Sequence, residues 1–170
     1  MDVAGQPKIA ACSGGFSVAG VTTPDSMSPQ CGRVSGNDSA NPNGQGCSVE
    51  DLCSEGWHVC HGAMDVAQHS STGQCEPSIA VTPVFWLTRQ AQDEQANCAP
   101  PPATNNITGC GTMGGGPSNT CAPLDRRMRV SECIPTAAWY CGNDNADALI
   151  EAQIVFKIGP AEGGVLCCTD

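Results

Sequence analysis

Gly46 to Ser70, G-C-S-V-E-D-L-C-S-E-G-W-H-V-C-H-G-A-M-D-V-A-Q-H-S, holds three of the 13 cysteines, all three histidines and the first tryptophan of this 170-residue chain. Ser48 to Cys53 fits one helical turn capped by Ser48, with Asp51 at the third helical position where a capping box usually carries Glu. Trp57 and Val59 alternate as in a short strand. His61 to Gln68 then reads as a helix, because Ala63, Val66 and Ala67 fall at i, i+3 and i+4 with Met64 close to the same stripe. Gly73 stops it.

Upstream, residues 1–11 carry no pattern and predict a loose or edge segment. Phe16, Val18 and Val21 alternate and predict a strand over 16–22, which Pro24 ends. Ser26 to Gly46 has almost no apolar side chains and reads as a long surface loop, with Cys31 and Cys47 placed to pin its ends. Downstream, Ile79 to Arg89 is the most apolar run and predicts a core strand, with Phe85 and Leu87 on one side, Trp86 on the other and Pro83 at a bulge, bend or edge. Gln90 to Thr120 reads as loop stapled by Cys98, Cys110 and Cys121. Ala148 to Ile158 alternates apolar and polar residues, as a strand with one buried face does. The closing G-G-V-L-C-C-T-D is a terminal strand. Its adjacent Cys167 and Cys168 point to opposite faces and therefore bridge to different partners. Short strands, one or two helices and long loops predict an α+β domain.

The cysteines are spread along the chain rather than gathered in metal-ligand pairs, which predicts a disulfide scaffold of six bridges in a secreted or cell-surface protein. Each bridge is worth on the order of 3–4 kcal/mol. An odd count leaves at least one thiol free or intermolecular. Met1-Asp2-Val3-Ala4 does not open a secretory signal, so a mature form with an added Met1 is expected. No segment approaches the roughly 18–20 apolar residues that span a bilayer, and no membrane insertion is expected. The formal charge of −10 argues against nucleic acid and anionic membranes as partners. Calcium is compatible with it, as is a charge that serves solubility alone.

Asp51-Leu52-Cys53-Ser54-Glu55-Gly56-Trp57-His58-Val59, followed by a short helix, is similar to the L-C-P-x-G-W-H-V-P-S-D-A-E-W opening of secreted bacterial domains with a C-type-lectin-like fold. That superfold also includes formylglycine-generating enzymes and variable receptor-binding proteins. Gly163 to Asp170 resembles their terminal strand, and G-W-H-V-C with G-G-V-L-C-C also resembles a group of uncharacterised cysteine-rich secreted proteins. Length and the spread of cysteines predict one disulfide-stapled domain over 1–170, in which the resemblance covers 47–170 as the lectin-like unit and leaves 1–46 as an N-terminal strand and loop extension. The resemblance also implies first and last strands side by side, with Cys53 or Cys60 bridged to Cys167 or Cys168. The calcium-dependent sugar site does not carry over. Glu76-Pro77-Ser78 lacks the amide ligand, and Trp139-Tyr140-Cys141-Gly142-Asn143-Asp144 interrupts the Trp-Asn-Asp strand.

Several groups carry candidate chemistry. His58, His61 and Asp65 have zinc-ligand types, but on a strand at 57–59 the two histidines need not share a face, so a structural or surface role is the expected one. Asn143, Asp144, Asn145, Asp147 and Glu151 offer clustered oxygens for calcium, and G-N-D-S-A-N-P-N-G a second such group. Arg126 and Arg127, with Arg129, form a candidate anion or carboxylate site, or else pair with the protein's own acids. Trp139 and Tyr140 form either a stacking platform for a sugar or a buried pair beside Cys141. Asn37-Asp38-Ser39 and Asn106-Ile107-Thr108 fit the N-glycosylation acceptor. With no C-x-x-C, an enzyme is not expected. The leading expectation is a secreted or surface-displayed recognition domain whose long loops bind a glycan or an extracellular protein. The alternative is a structural or adhesive module linked into oligomers through the odd cysteine.

Overall fold

The computed structural model describes residues 8–75, 84–89, 107–111, 118–121, 124–126, 137–140 and 151–170. Its strands are β1 (Ile9–Ser13), β2 (Trp57–Val59), β3 (Phe85–Thr88), β4 (Thr108–Gly111), β5 (Ser118–Cys121), β6 (Leu124–Arg126), β7 (Trp139–Tyr140), β8 (Phe156–Lys157) and β9 (Gly163–Thr169). Helices α1 (Ala63–His69) and α2 (Glu151–Ile154) and two 3₁₀ turns, Pro24–Met27 and Val49–Leu52, complete an α+β fold.

The terminal strand is the centre of the sheet, which runs β1-β9-β3-β4-β6-β5 with β2 also on β9. β1 lines one edge of β9 antiparallel, from Ile9↔Cys168 to Ser13↔Gly164. On the other edge, β3 pairs in parallel with Gly163 to Val165 and β2 antiparallel with Cys167 to Thr169. Neighbours on both edges leave little room. A Cβ on Gly164 would sit 2.0 Å from the Cys12 carbonyl oxygen, which explains glycine there.

Strand alternation divides β9 between two cores. Val165 and Cys167 join Phe85, Leu87, Val59, Leu52, Phe16 and Trp139 on one face. Leu166 and Cys168 join Trp86, Cys110, Leu124 and the α1 residues Ala63 and Val66 on the other. A strand buried on both faces reads as a continuous apolar run, and G-G-V-L-C-C does. Each face has its own staple. Cys167 bridges Cys53 and Cys168 bridges Cys60, across 114 and 108 residues of chain. Cys31–Cys47 pins the N-terminal loop, and Cys75–Cys110 ties the segment after α1 to β4. Four of the six expected bridges thus lie among the described residues, and among the cysteines whose side chains are described Cys12 is the one free thiol. Cys121 ends β5 with its side chain outside those described, and Cys98, Cys133 and Cys141 lie outside the described residues.

Three expectations about elements need correction. The first strand is Ile9–Ser13, not 16–22. I-A-A-C-S has weak strand propensity and pairs only because β9 offers it an edge. Phe16 instead forms an isolated bridge with Lys157, and the chain turns away at Gly20, whose φ is +92°. The strand expected over 148–158 contains α2 and only a two-residue β8, because Ala152 and Val155, three apart, are the buried pair while Ile158 is exposed. The loop expected over Gln90–Thr120 contains β4 and most of β5. β4 packs as a run of small residues, T-G-C-G, in which the hydrophobic pattern is silent. β3 is shorter than expected, and 79–83 with Pro83 lie outside the described residues.

Candidate metal centre

The helical turn expected over Ser48 to Cys53 is the 3₁₀ turn Val49–Leu52, and it places the first carboxylate. Asp51 accepts the Ser48 N–H at 2.8 Å, the reciprocal half of a capping box. It also accepts the N–H groups of Gln30, Cys31 and Arg33, and so gathers the loop closed by Cys31–Cys47. Burial pushes its carboxyl up, but these donors outweigh that and hold it below its usual range. The neighbouring Glu50 turns inward to a saturated ion pair. Arg89 donates to it from Nε at 3.0 Å and Nη2 at 2.7 Å, and its remaining donors reach the Val21 and Ser26 carbonyls and the Met27 sulfur. Glu50 and Arg89 are 5% and 4% exposed, so this pair is internal architecture. Neither residue stood out in the sequence; only the third dimension pairs them across 39 positions.

All three histidines lie at the other end of this segment. In β2, Trp57 and Val59 face the larger core, so His58 emerges on the opposite side, toward α1. Asp65, in the first turn of α1, reaches back and accepts the His61 N–H at 2.7 Å, which fixes its carboxylate opposite β2. His58 Nε2 then lies 3.0 Å from Asp65 Oδ2, and His58 Nδ1 2.8 Å from Asp170 Oδ1. His69, one turn along α1 from Asp65, puts Nδ1 2.9 Å from the second Asp65 oxygen. The His58 and His61 rings are 4.9 Å apart. Strand and helix thus bring together the histidines that the sequence alone left apart.

The three protonation environments differ. Burial lowers His58, but hydrogen bonds and charge from Asp170 and Asp65 outweigh it and raise its pKa. Burial and the neighbouring His58 lower His61. Burial raises Asp65, but the His61 N–H and His58 outweigh it and lower its pKa. Asp65 is therefore ionised and His61 favours the neutral form that can ligate.

Donor atoms of His58, His61 and Asp65 lie within 4.8 Å of one another. Ligands on tetrahedral zinc at 2.0–2.1 Å stand about 3.4 Å apart, so the set would have to contract to hold a metal, which the exposed His61 allows. Two further groupings, Cys31-Cys47-Asp51 and Cys60-Cys168-Asp65, have their sulfurs locked in disulfides and offer no thiolate.

Other expected site residues fare differently. Trp139 is only 2% exposed and packs edge-on to Phe16 and Phe85, with its Nε1–H given to the Glu162 carbonyl. It offers no face to a sugar. Lys157 lies 5.4 Å from its ring centroid and donates to the Gly14 and Gly159 carbonyls, and burial lowers the lysine to about 8 against the partial opposing charge of Glu162. Tyr140 is half-buried and stacks on Phe156. Arg126 ends β6, and Glu151 begins α2. Arg127, Arg129, Asn143, Asp144, Asn145 and Asp147 lie outside the described residues. Of the glycosylation acceptors, Asn37 is exposed, whereas Ile107 and Thr108 are buried and Asn106 lies outside.

No protein-family model, curated protein or solved structure matches this chain. Its chemistry therefore rests on the residues themselves.

Proposed function

We propose that this chain is an extracellular, disulfide-stapled binding domain that holds a divalent transition metal at His58, His61 and Asp65. The observation that carries this reading is the convergence of all three histidines and two aspartates where β2, α1 and the end of β9 meet. His58 Nε2 and Asp65 Oδ2 share a hydrogen bond that a metal would replace. Asp170 would then orient His58 through Nδ1, as second carboxylates orient ligating imidazoles. His69 would steady the far oxygen of Asp65 in the same way.

Two imidazoles and one carboxylate suit zinc, nickel, copper or iron(II) and leave coordination positions open. Calcium prefers six to eight oxygens, so this centre selects against it. An open position gives a recognition domain a way to engage a donor atom of a glycan or protein ligand. A C-type-lectin-like relationship remains part of this reading through the Gly46–Ser70 and Gly163–Asp170 motifs. The adhesive alternative has weaker support among the described side chains, where the one free thiol, Cys12, is partly covered and burial pushes it up to about 11. A thiol held there resists interchain exchange.

Calorimetric titration of metal-free protein with zinc, nickel and calcium tests the proposal. Zinc and nickel are expected to bind at one site per chain and calcium not at that site. Equal zinc binding by the protein and by its His58→Ala, Asp65→Asn double variant would refute it.

A further inference from the structure

A pocket lies beside the Val49–Leu52 turn, where the loop at 33–39 meets β1. The two border an open, cleft-like cavity of about 470 Å³, within the 300–1,000 Å³ range of small-molecule sites. Arg33 lines it, together with Cys12, Ser13, Asn37, Asp38 and Ser54. We propose that this cavity binds a small hydroxylated carboxylate of monosaccharide size, a sugar acid.

The argument starts from how Arg33 is held. Its φ is +61°, a left-handed conformation that non-glycine residues seldom adopt, and its N–H is fixed on Asp51 Oδ1 at 2.8 Å. Its Nη1 donates to the carbonyls of Glu50, Cys53 and Trp57. Three neutral carbonyls immobilise the guanidinium without cancelling its charge. Among the described residues no carboxylate lies within ion-pair distance of it, and Nε and Nη2 have no acceptor. Arg89 makes the contrast, since its Nε, Nη1 and Nη2 all have acceptors and Glu50 neutralises it. The Nε–Nη2 edge left over on Arg33 is a fork of parallel donors that matches a carboxylate bidentately.

The surroundings set the rest of the ligand. Asp51 also lines the cavity, but four backbone N–H groups already occupy its oxygens. Ser13 and Ser54 hydroxyls and the Asn37 amide can donate to or accept from ligand hydroxyls, and Asp38 can accept from them. A chain of net charge −10 repels polyanions, and Asp38 and Asp51 line the same cavity, so a single carboxylate seated on the Arg33 fork is the most anionic species the site can hold.

Titration with sodium glucuronate, followed by ligand-observed NMR, tests this site, with glucose and acetate as partial mimics. Glucuronate is expected to bind saturably, and each mimic at least about tenfold more weakly, since a lost charge-assisted hydrogen bond is worth 1.5–3 kcal/mol. Arg33→Gln should weaken glucuronate by about the same factor. Because Arg33 also anchors three carbonyls, Ser54→Trp serves as a second variant that fills the exposed rim and leaves the arginine in place. It should abolish binding while the thermal unfolding curve is kept. Glucose binding as well as glucuronate, undiminished binding by the folded Ser54→Trp protein, or no saturable glucuronate binding would each overturn the proposal. Zinc affinity is read separately and does not enter this test.

Discussion

Val59 of β2 gives its N–H to Glu50 and so touches the Glu50–Arg89 pair, while His58, one residue earlier, leads into the Asp65 cluster. One strand separates two charged groups of opposite design. In the first, each nitrogen of the guanidinium has an acceptor and both side chains are buried, so nothing remains to bind with. In the second, the His58 side chain is 26% exposed, His61 is exposed, and a hydrogen-bonded proton sits where a metal could replace it. Burial with a saturated guanidinium marks the structural cluster, and exposure at His58 and His61 marks the proposed binding one.

Removing the staples should separate the two most strongly. Loss of Cys53–Cys167 or of Cys60–Cys168, which close loops of 114 and 108 residues, is expected to cost about 4.7 kcal/mol each in urea unfolding. Only the second lies next to Asp65, so only its removal should also weaken zinc binding. Arg89→Met should cost about 3–5 kcal/mol by leaving Glu50 buried without its partner, with zinc affinity unchanged in the folded fraction. Equal zinc loss in Arg89→Met would erase the distinction between the clusters.

The proposed metal cluster should respond the other way. His58→Ala is expected to change unfolding free energy by under about 1 kcal/mol, as a part-exposed ion pair does, yet to remove most zinc affinity. Asp170→Asn, which keeps the residue's size and weakens its hold on His58 Nδ1, should lower zinc affinity by about 10–100-fold. The smallest effect is in acid. Asp51 titrates below its ordinary 3.8 in the folded protein, so its stabilisation is full above that value and disappears as pH falls through the lower, folded one. Asp51→Asn should therefore flatten the loss of stability below pH 3.8.

Gly46 to Ser70 was largely legible because its elements are local: a capped turn, an alternating W-H-V and a 3.6-period stripe on α1. The opposite-face logic for Cys167 and Cys168 needed only the pleat of a strand. Residues 1–11 were legible only as a loose or edge segment, because Ile9 to Ser13 has no pattern of its own and forms edge strand β1 against β9, some 150 residues away. α2 escaped notice because an i, i+3 pair and an alternating series share the residues of 150–158. The histidine cluster was half legible: H-V-C-H-x-x-x-D named the ligand types, but whether strand and helix face one another is a tertiary fact. Arg33 carried no signal, since its role depends on a left-handed backbone and on carbonyls from 50, 53 and 57.

Imidazole ¹⁵N NMR of the metal-free protein during zinc addition tests the central claim most directly. The account predicts that one equivalent of zinc moves His58 Nε2 and one His61 nitrogen to metal-bound shifts while His58 Nδ1 stays protonated toward Asp170. Unchanged His58 and His61 resonances, or uniform broadening of all three histidines, would contradict it.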